Sequence, residues 1–234
     1  MTGRVGRETT CEKSNTVGIG TLTAPGPDVC VTFSGWRLRM KRMIDFVASL
    51  IAMPFLLLIY AIVGIAIKLD SRGPVLFAQT RIGKDGVPFT LYKFRSMTAD
   101  ADKIRSNLEA LNESTGPTFK IKKDPRITRI GAVLRRSSID ELPQIINVLK
   151  GDMSLVGPRP PLPGEVAKYN EHQRCRLLVV PGLTCLWQIM GRSSLSFDQW
   201  VELDLEYIRN QSLLLDLKIL VLTIPAVLRG SGAW

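Results

Sequence analysis

The sequence predicts a mostly helical α/β fold that carries one membrane segment near its N-terminal side. Three observations lead there. Residues 43–67 form a block of 25 in which only Asp45, Ser49, Pro54 and Gly64 are not apolar, and no charge occurs after Asp45. Two short β-patterned runs, 75–79 and 89–95, flank the turn signal Gly83-Lys84-Asp85-Gly86. Beyond them, helical periodicity governs 99–111, 145–150 and 200–210.

The chain has 234 residues, 31 Lys+Arg against 21 Asp+Glu, a net charge of +10 and 45% hydrophobic residues. That suits one domain with an appendage and excludes disordered, collagen-like and low-complexity classes. The basic excess lacks the aromatic interleaving or fold signature of a nucleic-acid binder, so no nucleic-acid partner is expected. Beside a membrane segment, it fits anionic headgroups and phosphorylated ligands. The four cysteines, Cys11, Cys30, Cys175 and Cys185, show no Cys-x-x-Cys spacing and read as reduced thiols facing the cytosol. His172 with Cys175 and Cys185 lacks the fourth ligand of a zinc site.

Taken in order, residues 1–34 are rich in Thr, Gly, Ser and Pro without periodicity and read as a disordered leader. A cleavable signal would begin its apolar core sooner. Residues 35–72 form the membrane segment. As one helix, the 25-residue block is about 37 Å long, enough to cross a hydrocarbon core of about 30 Å. Pro54 complicates this, because it removes a backbone donor near the middle; broken there, the arms reach only about 16 and 21 Å. Arg37, Arg39, Lys41 and Arg42 precede the block, and Lys68, Arg72, Arg81 and Lys84 follow it, so positive charge selects no orientation. On residues alone, a kinked spanning helix and a hairpin that dips and returns both stand.

Residues 73–234 form the polar body. After the hairpin, residues 99–111 place Ile104, Leu108 and Leu111 on one face of a surface helix, closed by Gly116-Pro117. Residues 120–129 gather Lys120, Lys122, Lys123, Arg126 and Arg129 around Asp124-Pro125 in a loop. The run Arg135-Arg136-Ser137-Ser138-Ile139-Asp140-Glu141-Leu142-Pro143-Gln144 leads into an amphipathic helix stopped by Gly151. Two N-cap registers compete. Ser138 with Glu141 makes a capping box, whereas Asp140 as N-cap puts Pro143 in the first turn, where its missing N–H costs nothing; the second is preferred. Either way Asp140 and Glu141 lie at the positive end of a helix, where they can cap or serve chemistry.

Gly157-Pro158-Arg159-Pro160-Pro161 is too stiff for helix and holds Arg159 on a fixed loop, as a phosphate fork or a solvated guanidinium. In 181–192, Trp187 reads as core. Residues 213–228, interrupted by Asp216, Lys218 and Pro225, are expected to lie along an interface.

Six stretches, KRMIDF (41–46), RIGKDGVPF (81–89), YKFRSM (92–97), DPRITRIGAVLRRSSIDELPQIINVLKGDMSLVGPRP (124–160), PGLTCLWQIMGR (181–192) and LDLKIL (215–220), together resemble the bacterial sugar transferase family of monotopic polyprenyl-phosphate phosphoglycosyl transferases. The likeness covers nearly everything after residue 40, in order. It implies an N-terminal re-entrant membrane helix-break-helix kinked at Pro54, plus a small cytosolic catalytic domain with interfacial amphipathic helices, at the bacterial inner membrane. It also implies transfer of a hexose 1-phosphate from a UDP-sugar, galactose or glucose by overall likeness, to undecaprenyl phosphate, with release of UMP, as the first membrane step of exopolysaccharide synthesis. Asp140 matches the nucleophile and Glu141 its partner. Lys93, Arg95, Arg135, Arg159 and Arg192 match basic positions suited to phosphate, and Mg2+ is expected at Asp140, bridging the diphosphate. The competing class is a non-catalytic membrane-bound interaction protein of a glycan assembly system, against which the intact Asp140, Glu141, Lys93 and Arg159 argue. One departure is visible: Cys185 stands where the family's Pro-Gly-x-Thr-Gly turn ends in Gly, a strain if that position needs positive φ.

Overall fold

The computed structural model describes residues 35–113, 116–119, 121–191 and 195–229. The expected leader, 1–34, and Arg192 lie outside them. Helix α1, Gly35–Asp70, opens the described chain and leads into β1, Leu76–Ile82, a single turn at Lys84–Gly86, and β2, Pro88–Phe94. The hairpin is antiparallel, pairing Leu76 with Phe94 and Ile82 with Pro88, and its turn uses positive φ at Asp85 and Gly86. Next come α2, Ala101–Ile104, a 3₁₀ stretch Arg105–Leu111, α3, Arg129–Arg136, a 3₁₀ segment Ile139–Gln144, and α4, Ile145–Lys150. Strand β3, Ser154–Val156, is followed by the short helices α5, Pro163–Val166, and α6, Glu171–Arg174. Strand β4, Gly182–Thr184, pairs parallel to β3 and precedes α7, Leu186–Met190, α8, Phe197–Asn210, and α9, Leu213–Arg229.

The apolar block departs from expectation in one respect. Helix α1 is continuous through Pro54 rather than broken into two arms. A proline in a helix body removes one hydrogen bond and bends the helix, while bonds on either side hold it together. Of its buried residues, Asp45, Ser49, Leu56, Val63 and Ile67 fall at spacings of four and seven, a single stripe along the helix, with Gly64 beside it. The remaining surface, including Phe46, Leu50, Ile51, Phe55, Leu57 and Ile62, is exposed. The helix is long and apolar enough to cross a membrane by length and composition.

Both flanks of α1 hold the same body. Near its start, Arg42 donates to the carbonyls of Val148 and Leu149, and Asp45 accepts from Ser154 Oγ at 2.7 Å. Near its end, Val63 and Ile67 pack with Phe94 and Leu134, and Asp70 Oδ2 accepts from the Ile130 amide at 3.0 Å. Each fully buried side chain of this kind stabilises by about 1.5–3 kcal/mol.

The largest core cluster gathers around α8, where Phe197, Val201, Leu205 and Ile208 recur at helical spacing. A capping box starts this helix: Ser196 Oγ accepts from the Gln199 amide, and Gln199 Oε1 accepts from the Ser196 amide. Under the cluster, Arg176 and Asp204 form a buried ion pair at 2.6 Å, with Arg176 also donating to the Tyr169 hydroxyl. Burial outweighs Arg176 at Asp204 and pushes its carboxyl up to about 6. The long helix expected over 99–111 splits into one α-helical turn and a 3₁₀ stretch, since three apolar residues bury too little to hold a surface helix in one form. Helix α9 keeps Asp216 and Ile219 inside and exposes Leu214, Leu217, Val221, Ile224 and Leu228.

Gly131 in α3 lies so close to the segment after β2 that a Cβ there would collide with the Ser96 carbonyl oxygen, whereas a Cβ on Gly164 would meet nothing. Gly131→Ala is therefore expected to lose roughly 1–3 kcal/mol of stability by overpacking, and Gly164→Ala to lose almost none. Thermal melts of the two variants check this; equal melting temperatures would contradict it.

Candidate active site

Asp140 and Glu141 sit in the 3₁₀ segment between α3 and α4. The preferred N-cap register is not adopted: the helical turns begin two residues earlier, with Ser138 at the boundary as in the alternative register, but in the left-handed region (φ 56) and with its side chain making no cap bond, so no capping box forms. The Glu141 amide instead donates to the Ser138 carbonyl at 3.2 Å, and Pro143 is absorbed inside the 3₁₀ turn. A non-glycine residue at positive φ stores about 1–3 kcal/mol, and here it lies two residues before the first of the two carboxylates.

The surrounding elements fix this segment tightly. Thr128 caps α3 through the Gly131 amide, and Asp70 adds a second acceptor at the same helix start. Gly151 (φ 96) ends α4, whose last carbonyls also receive Arg42. From α4, fully buried Asn147 accepts from the Tyr92 amide and donates to the Thr90 carbonyl, as a third strand would. Strand β2 is thereby held against α4, and its Lys93 reaches the dyad.

Lys93 Nζ donates to Glu141 Oε1 at 2.7 Å, an ion pair whose side chains are only 17% and 21% exposed. Arg135 lies along α3 with Nε donating to Ser96 Oγ at 2.9 Å. Arg159 extends from its stiff loop, half-buried, with its guanidinium 6.0 Å from the Trp187 ring centre. Gly157 and Gly182 allow this loop to press against β4, because a Cβ on either would collide with the other strand's backbone. Lys93, Arg135 and Arg159 all act electrostatically on Asp140. Three of the sequence-predicted cations thus converge on the dyad.

Asp140 is 7% exposed and accepts no hydrogen bond among the described residues. Burial pushes its carboxyl above the usual carboxylate range, outweighing Lys93, and the neighbouring Glu141 charge adds to the rise. Glu141 moves the opposite way: burial opposes its charge, but Lys93 and then Arg159 hold it well below the usual range. One carboxylate is fixed as the partner of a cation. The other is ionisable, unbonded and open to a cleft of about 470 Å³ that Lys93, Arg135, Arg159 and Trp187 also line.

Arg95 is placed differently from expectation. Its two terminal nitrogens donate to the Ser71 and Arg72 carbonyls at 2.7 Å, so it ties β2 to the end of α1 rather than offering a phosphate fork. Sequence reasoning also passed over Arg81, which lies 9% exposed beside Lys93 and Arg159, on the same face of the hairpin as Lys93. Cys185 is unstrained: its backbone is extended (φ −153, ψ 170) and its thiol is buried. Trp187 is core, as read, and stacks on Trp200 with centroids 4.6 Å apart.

No group of three or more His, Cys, Asp or Glu suited to a metal occurs among the described residues. A magnesium ion needs less than that, since it is commonly held by one or two carboxylates plus substrate phosphates and water. The unbonded Asp140 carboxylate, on a cleft that Lys93, Arg135 and Arg159 also line, fits this donor set.

The family model described as bacterial sugar transferase matches residues 36–230. The galactosyl transferase CpsE of Streptococcus agalactiae serotype III (strain NEM316) is 49% identical over 201 residues, which are 84% of this chain and 44% of that protein. The exopolysaccharide production protein ExoY of Rhizobium meliloti (strain 1021) is 40% identical over 202 residues, 83% of this chain and 88% of its own. The undecaprenyl-phosphate glucose phosphotransferase of Komagataeibacter xylinus is 45% identical over 212 residues, 86% of this chain and 38% of its own. The chain therefore spans less than half of two of these relatives and most of the third.

A carboxyl whose native pKa is raised binds its proton more tightly when folded, so the stability it lends is present at low pH and lost as pH rises through the native value. Asp140→Asn, which keeps the shape without the charge, should then raise the melting temperature at pH 7.5 by roughly 2–6 °C, with the gain shrinking toward pH 5. Melts across that range test the sign. A variant less stable than the parent at every pH would mean that the Asp140 anion stabilises the fold.

Proposed function

This chain belongs to the bacterial sugar transferase family, and we propose that it transfers a hexose 1-phosphate from a UDP-sugar to undecaprenyl phosphate through an aspartyl intermediate, releasing UMP. The observation that carries this reading is Asp140: buried, unbonded and ringed by Lys93, Arg135 and Arg159. A structural carboxylate in such a place would take up its neighbours' donors; this one keeps its lone pairs free.

In the first step an Asp140 carboxylate oxygen attacks the phosphorus that bears the sugar. A new carboxyl–phosphate bond forms, the bond to the bridging oxygen breaks, and UMP leaves with that electron pair. In the second, an oxygen of undecaprenyl phosphate attacks the same phosphorus and the Asp140 carboxylate departs, leaving the sugar on a lipid diphosphate. Lys93, Arg135 and Arg159 stand ready for the charge that develops on the transferred group, and being fixed by the fold they need no reorganisation. Glu141, held ionised by Lys93, opposes the burial that lowers the Lys93 ammonium, orients it, and sits where it can orient the acceptor phosphate. Mg2+ held by Asp140 together with the diphosphate would supply charge neutralisation, letting two anions approach a carboxylate.

The anchor fits the same reading. Both flanks of α1 grip one body through Arg42 and Asp70, whereas a crossing helix would put them on opposite faces of a core about 30 Å thick. A re-entrant α1, bent at Pro54 and facing the cytoplasm at both ends, keeps the two grips on one side. It places Asp140 where a lipid-borne phosphate arrives. The names of the relatives favour galactose or glucose as the sugar, and exopolysaccharide as the product.

Asp140→Asn in membranes should remain membrane-bound and trap no labelled phosphosugar, where the parent, given UDP-sugar without acceptor, does. Labelling of the variant would remove Asp140 as nucleophile. UMP release should require magnesium and undecaprenyl phosphate for turnover across a panel of UDP-hexoses; silence with every donor would defeat the transferase reading. Cysteines placed at residues 37 and 72 should be modified from one face of the membrane, and modification from opposite faces would exclude the re-entrant anchor.

A further inference from the structure

The loop 157–161 contains three prolines, Pro158, Pro160 and Pro161, and therefore has few donors of its own. It can be held in place mainly through its carbonyls, by donors supplied from outside. Two come from main chain: the Gly182 amide donates to the Pro158 carbonyl at 2.9 Å, and the Ile82 amide to the Pro161 carbonyl at 2.9 Å. The third is a side chain. Arg81 Nη1 donates to the Pro160 carbonyl at 3.0 Å, next to Arg159, while its Nη2 donates to Gln79 Oε1 at 2.8 Å.

We propose that Arg81 is a positioning residue of the transferase reaction, which acts by holding the Arg159 loop over the Lys93–Glu141 pair. Its geometry suits this purpose. The guanidinium is 9% exposed, spans two acceptors on different elements, and belongs to the same charged cluster as Arg159, Lys93 and Glu141. Placing an arginine beside two further cations is electrostatically unfavourable, and burial lowers Arg81 to about 10. The planar guanidinium lets one side chain reach both acceptors at once, so Arg81 acts on the site by setting the position of Arg159. Direct contact with substrate is not part of the proposal: Nη1 and Nη2 each hold one acceptor in the fold and Nε is buried without one.

The activity arm of the test rests on the transferase reading; the spectroscopic arm does not. Arg81→Met, Arg81→Lys, Arg159→Met and the Arg81→Met/Arg159→Met double variant are prepared in lipid nanodiscs with the full chain. Arg81→Met should raise KM for the UDP-sugar about tenfold, and Arg159→Met by a similar factor. The double variant should fall within about twofold of Arg159→Met alone, because one residue acts through the other. Lysine should not rescue, as a single ammonium cannot hold both acceptors. Independently of activity, Arg159 lies over the Trp187 ring. Arg81→Met should therefore change the intrinsic fluorescence in the same direction as Arg159→Met, and neither change should appear in a Trp187→Phe background.

Multiplicative losses in the double variant, full rescue by lysine, or unchanged Trp187 fluorescence in a folded Arg81→Met protein would each overturn the proposal. Should Arg81→Met melt too low to assay, Arg81→Lys gives the same decisions at 10 °C. A parent protein that releases no UMP from any donor refutes the transferase reading instead, and the fluorescence comparison still decides whether Arg81 positions Arg159.

Discussion

The arrangement depends on helix ends satisfied by a helix from elsewhere. The dyad segment lies between α3 and α4, and each of these short helices has one terminus completed by α1: Asp70 accepts from an N-terminal amide of α3, and Arg42 donates to C-terminal carbonyls of α4. Helices of eight and six residues are too short to persist alone. Their orphan amides and carbonyls need partners, and the anchor provides a carboxylate at a positive end and a guanidinium at a negative one, each matching the dipole. The apolar helix therefore acts as the brace that keeps Asp140 and Glu141 in register with Lys93, besides any part it takes in the membrane.

A second set of contacts extends the brace to the opposite wall of the cleft. Lys41 donates to Asp216 at 2.7 Å across 175 residues, Tyr207 donates to the other oxygen of Asp216, and Tyr207 also reaches the Val156 carbonyl. Asp45 meanwhile holds Ser154 and the Leu155 amide. Strand β3 leads directly into the loop of Arg159. Stretches from near the two ends of the described chain, 41–46 and 215–220, thus meet at the strand that leads to Arg159. Anchored at both ends, such a buried polar network favours one arrangement over several.

Much of this was legible in the sequence, and the rest was not for physical reasons. The hairpin was readable because Gly83-Lys84-Asp85-Gly86 has strong turn chemistry, and α8 because four apolar residues repeat on one face. The Asp140–Glu141 pair with Lys93, Arg135 and Arg159 was singled out by motif, and the fold brings these side chains together. The start of the dyad helix was misread, because capping rules do not anticipate Ser138 at positive φ, a conformation imposed by the elements on either side. Arg95 resembled a phosphate ligand only because charge is visible in a sequence while its acceptors, two carbonyls at the end of α1, are not. Strands β3 and β4 went unread since three residues carry no period, and their pairing joins segments some thirty positions apart.

Asn147 has a further consequence. By meeting both the Thr90 carbonyl and the Tyr92 amide, it occupies the hydrogen-bonding positions at which a neighbouring extended chain would attach to β2. The hairpin is therefore closed on that side by one side-chain amide. A sheet of only two strands would otherwise offer an adhesive border close to the Asp140 cleft. Here that border is sealed, so growth of the sheet by strand addition, from another copy or a passing unfolded segment, is blocked beside the cleft.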